Sequence, residues 1–265
     1  MCYTVSQLKK REFDSAVREG LPKEVIDKLF VEWQELEKDD NGSEPTAKYK
    51  VSGFEHPKLN VVLNDGKLHG DKFNWGLIPE WVKDSQQAKE ISNKTLNARG
   101  ETIFEKEAFR KAAIEQRCLI FVDGFFEHHH HKNKKYPYYI RPKNENMPLV
   151  FGGLWSQWVD QLTGEIVKTT TIVTTEGNPL MKKIHNNPKL HGARMPLILT
   201  PINYSTWLNA TSKQEIQQLI LPFDENELEA FTVQKIIGKD ALLDGPECIK
   251  FKEYPELSVS KDLFD

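Results

Sequence analysis

The sequence predicts an α+β fold: a single domain whose mostly antiparallel strands curl into a barrel-like core flanked by helices. Three observations carry this. Apolar or β-branched runs at 118–126, 137–141, 149–155, 166–175 and 195–200 follow one another with polar turns and few helical stretches between them. The glycine patterns of a dinucleotide fold or a P-loop are absent, which argues against a doubly wound parallel sheet. No Gly/Ser-rich or Pro-rich linker divides the 265 residues, a length that hides about 70–75% of the extended chain's surface and supports one core without staples.

The elements follow in order. Pro22 suits a first helical position, and Val25, Ile26, Leu29, Phe30, Trp33 and Leu36 recur on one face, so residues 22–40 read as an amphipathic helix inserted near the N-terminus. Asn64-Asp65-Gly66 sits between Val61-Val62-Leu63 and the stretch around Phe73-Asn74-Trp75, the pattern of two strands joined by a tight turn. Thr102 and Glu105 have capping-box spacing, which predicts a helix through Phe109 and Ala112 to about Gln116. The β runs come next, then a short helix over Ser212 to Leu221. The domain is expected to span 2–238, with 239–265, which carries Pro246 and Pro255, as a charged and loosely packed C-terminal extension.

Composition narrows the function. With 36 basic and 39 acidic residues the net charge is -3, so no whole-protein field announces nucleic acid, and a DNA-binding surface must be local. No apolar run approaches the roughly 18 residues of a membrane span, and Met1 is followed by Cys-Tyr-Thr rather than a signal segment, so the expected location is cytoplasmic with no membrane partner. Cys2, Cys118 and Cys248 form no C-x-x-C pair and read as free thiols, with Cys118 and Cys248 in apolar settings. Cys2 differs from both. Removal of Met1 before a small residue would leave a chain that begins with cysteine.

Several short motifs remain: Trp75-Gly-Leu-Ile-Pro79 with Trp81, Asn97-Ala-Arg-Gly-Glu101, Gly124-Phe-Phe-Glu127, Pro137-Tyr-Tyr-Ile140, Gly153-Leu-Trp155, Thr169 to Thr175, Ile184-His185 and Arg194-Met-Pro196. Each alone is weak: a Glu after two phenylalanines is as often an ion-pair partner, and Asn97 could merely cap a turn. The run His128 to His131 reads as a surface loop, because consecutive strand residues alternate faces and cannot all ligate one metal ion.

In this order, with Met1-Cys2 at the start, the motifs resemble the SRAP family, the SOS-response-associated peptidase proteins that shield abasic sites in single-stranded DNA. The resemblance implies a covalent DNA–protein crosslink through mature Cys2, whose amine and thiol together convert a sugar aldehyde to a thiazolidine. It implies Asn97, Glu127 and His185 as the other catalytic residues, with Glu127 the acid/base. Trp75, Arg99 and Arg194 would contact DNA, the arginines gripping phosphates and the tryptophan stacking on bases. His191 rivals His185, since eight residues separate His185 from Arg194 where the family has about one. Two further departures are Tyr3 in place of Gly and His128 in place of Trp. No cofactor or metal is called for. Single-stranded DNA carrying abasic sites is the partner, with the replication machinery as a further one, and the chain is expected to be a monomer that associates with the nucleoid when bound to DNA. An associated lyase or crosslink-reversal activity fits the same chemistry. The competing readings are a cysteine-type peptidase or autoprocessing hydrolase, and a noncovalent single-stranded DNA binding module.

Overall fold

Neighbouring residues of a strand face opposite ways, and here that alternation sorts the apolar side chains of a closed barrel into two cores. The computed structural model describes residues 2–7, 48–144 and 147–258. The helix expected over 22–40 lies outside them. The barrel is a ring of five strands, β3 (Lys58–Asn64), β4 (Leu68–Trp75), β6 (Arg117–Val122), β9 (Leu149–Val159) and β10 (Ile166–Glu176), in the order β10-β4-β3-β6-β9 with β9 pairing back onto β10. Four of its five contacts are antiparallel, and the parallel pairing of β4 with β10 closes it. Three short strands extend the ring: β5 (Asn97–Arg99), parallel to β10; β11 (Arg194–Pro196), antiparallel to β10; and β12 (Ile198–Leu199), on β9.

A second, antiparallel sheet runs in the order β13 (Leu228–Thr232), β8 (Lys134–Pro142), β7 (Gly124–His131), β1 (Thr4–Gln7) and β2 (Lys48–Ser52). It packs on the barrel through Val5, Phe125 and Ile140, which meet Val61, Ile120 and Phe151 in one buried cluster. The intervening barrel residues Val62, Leu119 and Val150 face the other way, against α2 (Arg110–Glu115), α4 (Pro201–Asn209) and α5 (Lys213–Leu219). The barrel-like α+β architecture expected from the sequence is the one observed. The tight turn at Asn64-Asp65-Gly66 is also present, with Gly66 at φ +111, a left-handed conformation that glycine adopts without strain.

Four local expectations are corrected. The run 118–126 is two strands in different sheets, separated at Asp123. The helix predicted from Thr102 starts only at Arg110, because the Thr102 hydroxyl turns back to the Arg99 carbonyl at 3.4 Å instead of capping the next turn. The histidine run lies in β7 rather than in a loop, and His129 is buried. Beyond Gly238 the described chain is packed, not loose: Val233 bridges to Phe251, and Cys248 and Leu257 are buried.

Candidate active site

Strand register brings the start of the chain to the glutamate. β1 pairs with β7 as Val5 opposite Phe125 and Ser6 opposite Gly124, and the same register, continued, sets Tyr3 opposite Glu127. Gly124 leaves room for the Tyr139 ring of β8: a Cβ there would lie 2.5 Å from that ring, whose hydroxyl is 2.8 Å from the Ser6 hydroxyl of β1. Asn97 reaches across from β5 and donates its amide N–H to the Cys2 carbonyl at 2.8 Å.

Cys2 is fully buried, and its thiol points to the Thr4 carbonyl 3.8 Å away. Burial, and after it the negative charge of Glu127, push this thiol well above the ordinary cysteine range. The sulfur therefore stays protonated at neutral pH. Glu127, itself only 5% exposed, bears in the same way on its other neighbours. Burial first and then its charge raise the Tyr3 phenol, and the same charge opposes the burial that lowers His185. One carboxylate thus stands among Cys2, Tyr3 and His185.

His185 is delivered by a short helix, α3 (Pro179–Ile184). Asn178 caps it by accepting from the Met181 N–H at 2.8 Å, Pro179 opens it, and the His185 N–H closes it on the Met181 carbonyl at 2.7 Å. The imidazole is buried, and its Nδ1 lies 3.0 Å from the Arg194 backbone nitrogen and 3.3 Å from the Arg194 carbonyl oxygen; accepting the shorter bond leaves the proton of the neutral ring on Nε2. His191 is exposed. Residues 186–193 form an excursion pinned at its base, where Asn186 exchanges hydrogen bonds with the His130 backbone at 2.7 and 3.0 Å and the Gly177 N–H reaches the Ala193 carbonyl at 2.9 Å.

Along β5, Ala98 packs into the helix-side core, which leaves Asn97 and Arg99 on the opposite face. The Asn97 Oδ1 is buried without a donor among the described residues, so the amide that anchors Cys2 also offers an unused acceptor. Arg99 is exposed, makes no ion pair among the described residues, and its charge reaches the Tyr3 phenol. Two side chains expected to contact DNA are engaged within the protein. Trp75 is fully buried with its indole N–H on the Leu96 carbonyl at 2.7 Å, so its ring supports the approach to Asn97 and cannot stack on a base. Arg194 grips Glu101 with both guanidinium nitrogens, at 2.6 and 2.8 Å, and donates to the Thr174 carbonyl at 2.8 Å. Glu101 is the residue that sequence reasoning passed over, although it ends the Asn97-Ala-Arg-Gly-Glu101 motif. Burial raises its carboxyl, but the hydrogen bonds and charge of Arg194 outweigh that and hold it below the usual range. Tyr3 stacks on the exposed Phe54 at 5.1 Å between ring centres, a contact that no motif signalled.

Among the described residues no cluster of three or more His, Cys, Asp or Glu could hold a metal ion, and no helix is long and apolar enough to cross a membrane. Compared with known proteins, residues 7–240 match the profile of the SOS response associated peptidase (SRAP) family. The chain belongs to that family. It is 37% identical over 200 residues to the abasic site processing protein YoqW of Bacillus subtilis, covering 73% of this chain and 84% of YoqW. The abasic site processing protein HMCES of Xenopus tropicalis is 31% identical over 142 residues, which is 47% of this chain and 40% of HMCES. Among solved structures, a protein of Bacteroides thetaiotaomicron superposes with a TM-score of 0.75 at 32% identity, covering 95% of this chain and all of that one. A Bordetella bronchiseptica protein at 23% identity and a TM-score of 0.67 shares the fold.

Proposed function

We propose that this SRAP protein captures abasic sites in single-stranded DNA, forming a covalent crosslink through Cys2 once Met1 is removed. The observation that carries this is the confinement of Cys2: Asn97 holds its backbone while the Glu127 carboxylate bears on its thiol. The ring-opened abasic sugar presents an aldehyde. The freed Cys2 amine, with an ordinary pKa of about 7.7–8.0, attacks that carbon, and the carbinolamine loses water to give an imine. The thiol then adds to the imine carbon, its proton passing to nitrogen, and a five-membered thiazolidine closes. Aldehyde and aminothiol are consumed and one water is released. Glu127 serves as the acid that gives the carbinolamine oxygen its proton and the base that recovers one. His185, neutral with its proton on Nε2, donates to the sugar oxygen during ring opening. Asn97 orients the amine through its unused carbonyl.

A thiol that stays protonated supports this order of events and weighs against a cysteine-type peptidase, which needs a thiolate stabilised near neutral pH. The imine is also the branch point for lyase activity, since proton loss beside it permits elimination of the adjoining phosphate. Ring closure by sulfur removes the imine and thereby protects the strand. Arg99 holds the flanking phosphate.

The test is incubation of the purified protein with an oligonucleotide carrying one abasic site, followed by denaturing electrophoresis and intact mass. A heat-stable adduct of a protein lacking Met1 is expected, and Cys2→Ser binds the strand without forming it. Equal heat-stable crosslinking by Cys2→Ser would overturn the ring-closing role of sulfur.

A further inference from the structure

Where β8 begins, residues 235–240 pass over a cavity of about 660 Å³ that is lined from both faces of the β7–β8 hairpin, by His128, Lys135 and Pro137 from one and by Tyr136 from the other. That volume is in the range of small-ligand sites, roughly 300–1,000 Å³. Its floor is apolar and aromatic: Tyr136 and Ile236 are buried, and Tyr254 meets Tyr136 edge-on at 5.1 Å between ring centres. Its rim is basic, with four lysines against two carboxylates on a chain whose net charge is -3. Two of the lysines are committed, Lys235 to Asp240 at 3.3 Å and Lys134 to Glu256 at 3.5 Å. Lys135 and Lys239 make no ion pair or hydrogen bond among the described residues. His128 completes the wall; burial, followed by the charge of Lys135, brings its pKa down to about 4, so it is a neutral hydrogen-bonding group at physiological pH.

The cavity adjoins the Cys2 cleft. Glu127 and His128 are consecutive, one on each face of the strand, and the β7–β8 hairpin ends in a two-residue turn, Lys132-Asn133, with φ of 45 and 64. We propose that this cavity is a second phosphate-binding site, which takes a nucleotide of the same single strand whose abasic sugar lies at Cys2. Lys135 and Lys239 neutralise its phosphates, and the tyrosine-lined floor receives sugar and base. The choice of the same strand rests on the proposed function; the cavity and its two uncommitted lysines do not.

The test compares a short strand of about five nucleotides with one of about twenty-five, each carrying a tetrahydrofuran analogue that cannot crosslink, across a range of salt. Single strands release counterions with a slope of about 0.7 per phosphate contacted, so Lys135→Ala/Lys239→Ala should reduce the slope by about 1.4 on the long strand alone. Both lysines are exposed, and the melting temperature should not change. Covalent capture of the short abasic strand should keep its rate. An unchanged slope on the long strand overturns the proposal. Thymidine monophosphate supplies the second arm, read by NMR at the His128 ring. Binding of that free nucleotide together with an unchanged long-strand slope assigns the cavity to free nucleotides and overturns the strand contact. If wild type makes no adduct with the short abasic strand, the proposed function fails, while the salt slope on an undamaged long strand still decides the cavity.

Discussion

The Arg194 backbone N–H donates to His185 Nδ1 at 3.0 Å, although eight residues lie between them in the chain. The segment 186–193 thus loops out while its two ends meet at the histidine. The guanidinium of the same arginine is held by Glu101, a pair that fixes the residue whose backbone meets the imidazole. Glu101→Gln should cost about 1–3 kcal/mol of stability, as loss of a charge-assisted pair does. It should slow covalent capture more than it weakens binding of the tetrahydrofuran strand. Thermal melts and single-turnover crosslinking check this, and an unchanged capture rate would remove Glu101 from the positioning of His185.

Trp75→Phe separates support from stacking. Loss of the indole bond to the Leu96 carbonyl should lower stability by about 1–3 kcal/mol. Affinity for single-stranded DNA should not fall by the roughly 1–3 kcal/mol that a lost stacking ring brings. Chemical denaturation and a binding titration distinguish the two.

The buried imidazole of His128 predicts acid sensitivity. Its pKa is lowered to about 4 in the folded protein, against about 6.5 when unfolded, so the unfolded chain binds the proton first. This contribution to stability is complete above pH 6.5 and is lost as pH falls from there through 4, at most about 3 kcal/mol. His185 is lowered in the same sense and adds to the loss. His128→Gln should flatten the pH dependence of the melting temperature over that window, and an unaltered profile would exclude His128 as its source.

Gly124→Ala places a methyl 2.5 Å from Tyr139. Overpacking of this kind costs about 1–3 kcal/mol, and here it also shifts the ring whose hydroxyl meets Ser6 of β1, so crosslinking should fall beyond what the stability change explains. Comparing the variant's adduct yield well below its melting temperature tests this.

The curled β core was legible because its runs are long, β-branched and separated by polar turns. The break at Asp123 was not, since a strand that changes sheets keeps its apolar character on both sides. The capping pattern at Thr102 misled because Thr102 ends a short 3-10 turn, where its hydroxyl donates to the Arg99 carbonyl three residues back instead of accepting from the N–H of Glu105. Among the site residues, Asn97, Glu127 and His185 came from the family resemblance, and the structure sets all three around the start of the chain. Motifs do not report burial, and burial decides that Trp75 is scaffolding. They do not report pairing either, and Arg194 is held by Glu101, a partner that only the folded chain brings to it.

The concealed sulfur of Cys2 has a chemical corollary. A group that does not ionise is spared by peroxides and alkylating agents, which consume thiolates, so iodoacetamide should leave it unlabelled in the folded protein. On the proposed function, its reactivity is then reserved for an imine generated beside it, and the sulfur can wait intact through oxidative stress for a sugar aldehyde to arrive.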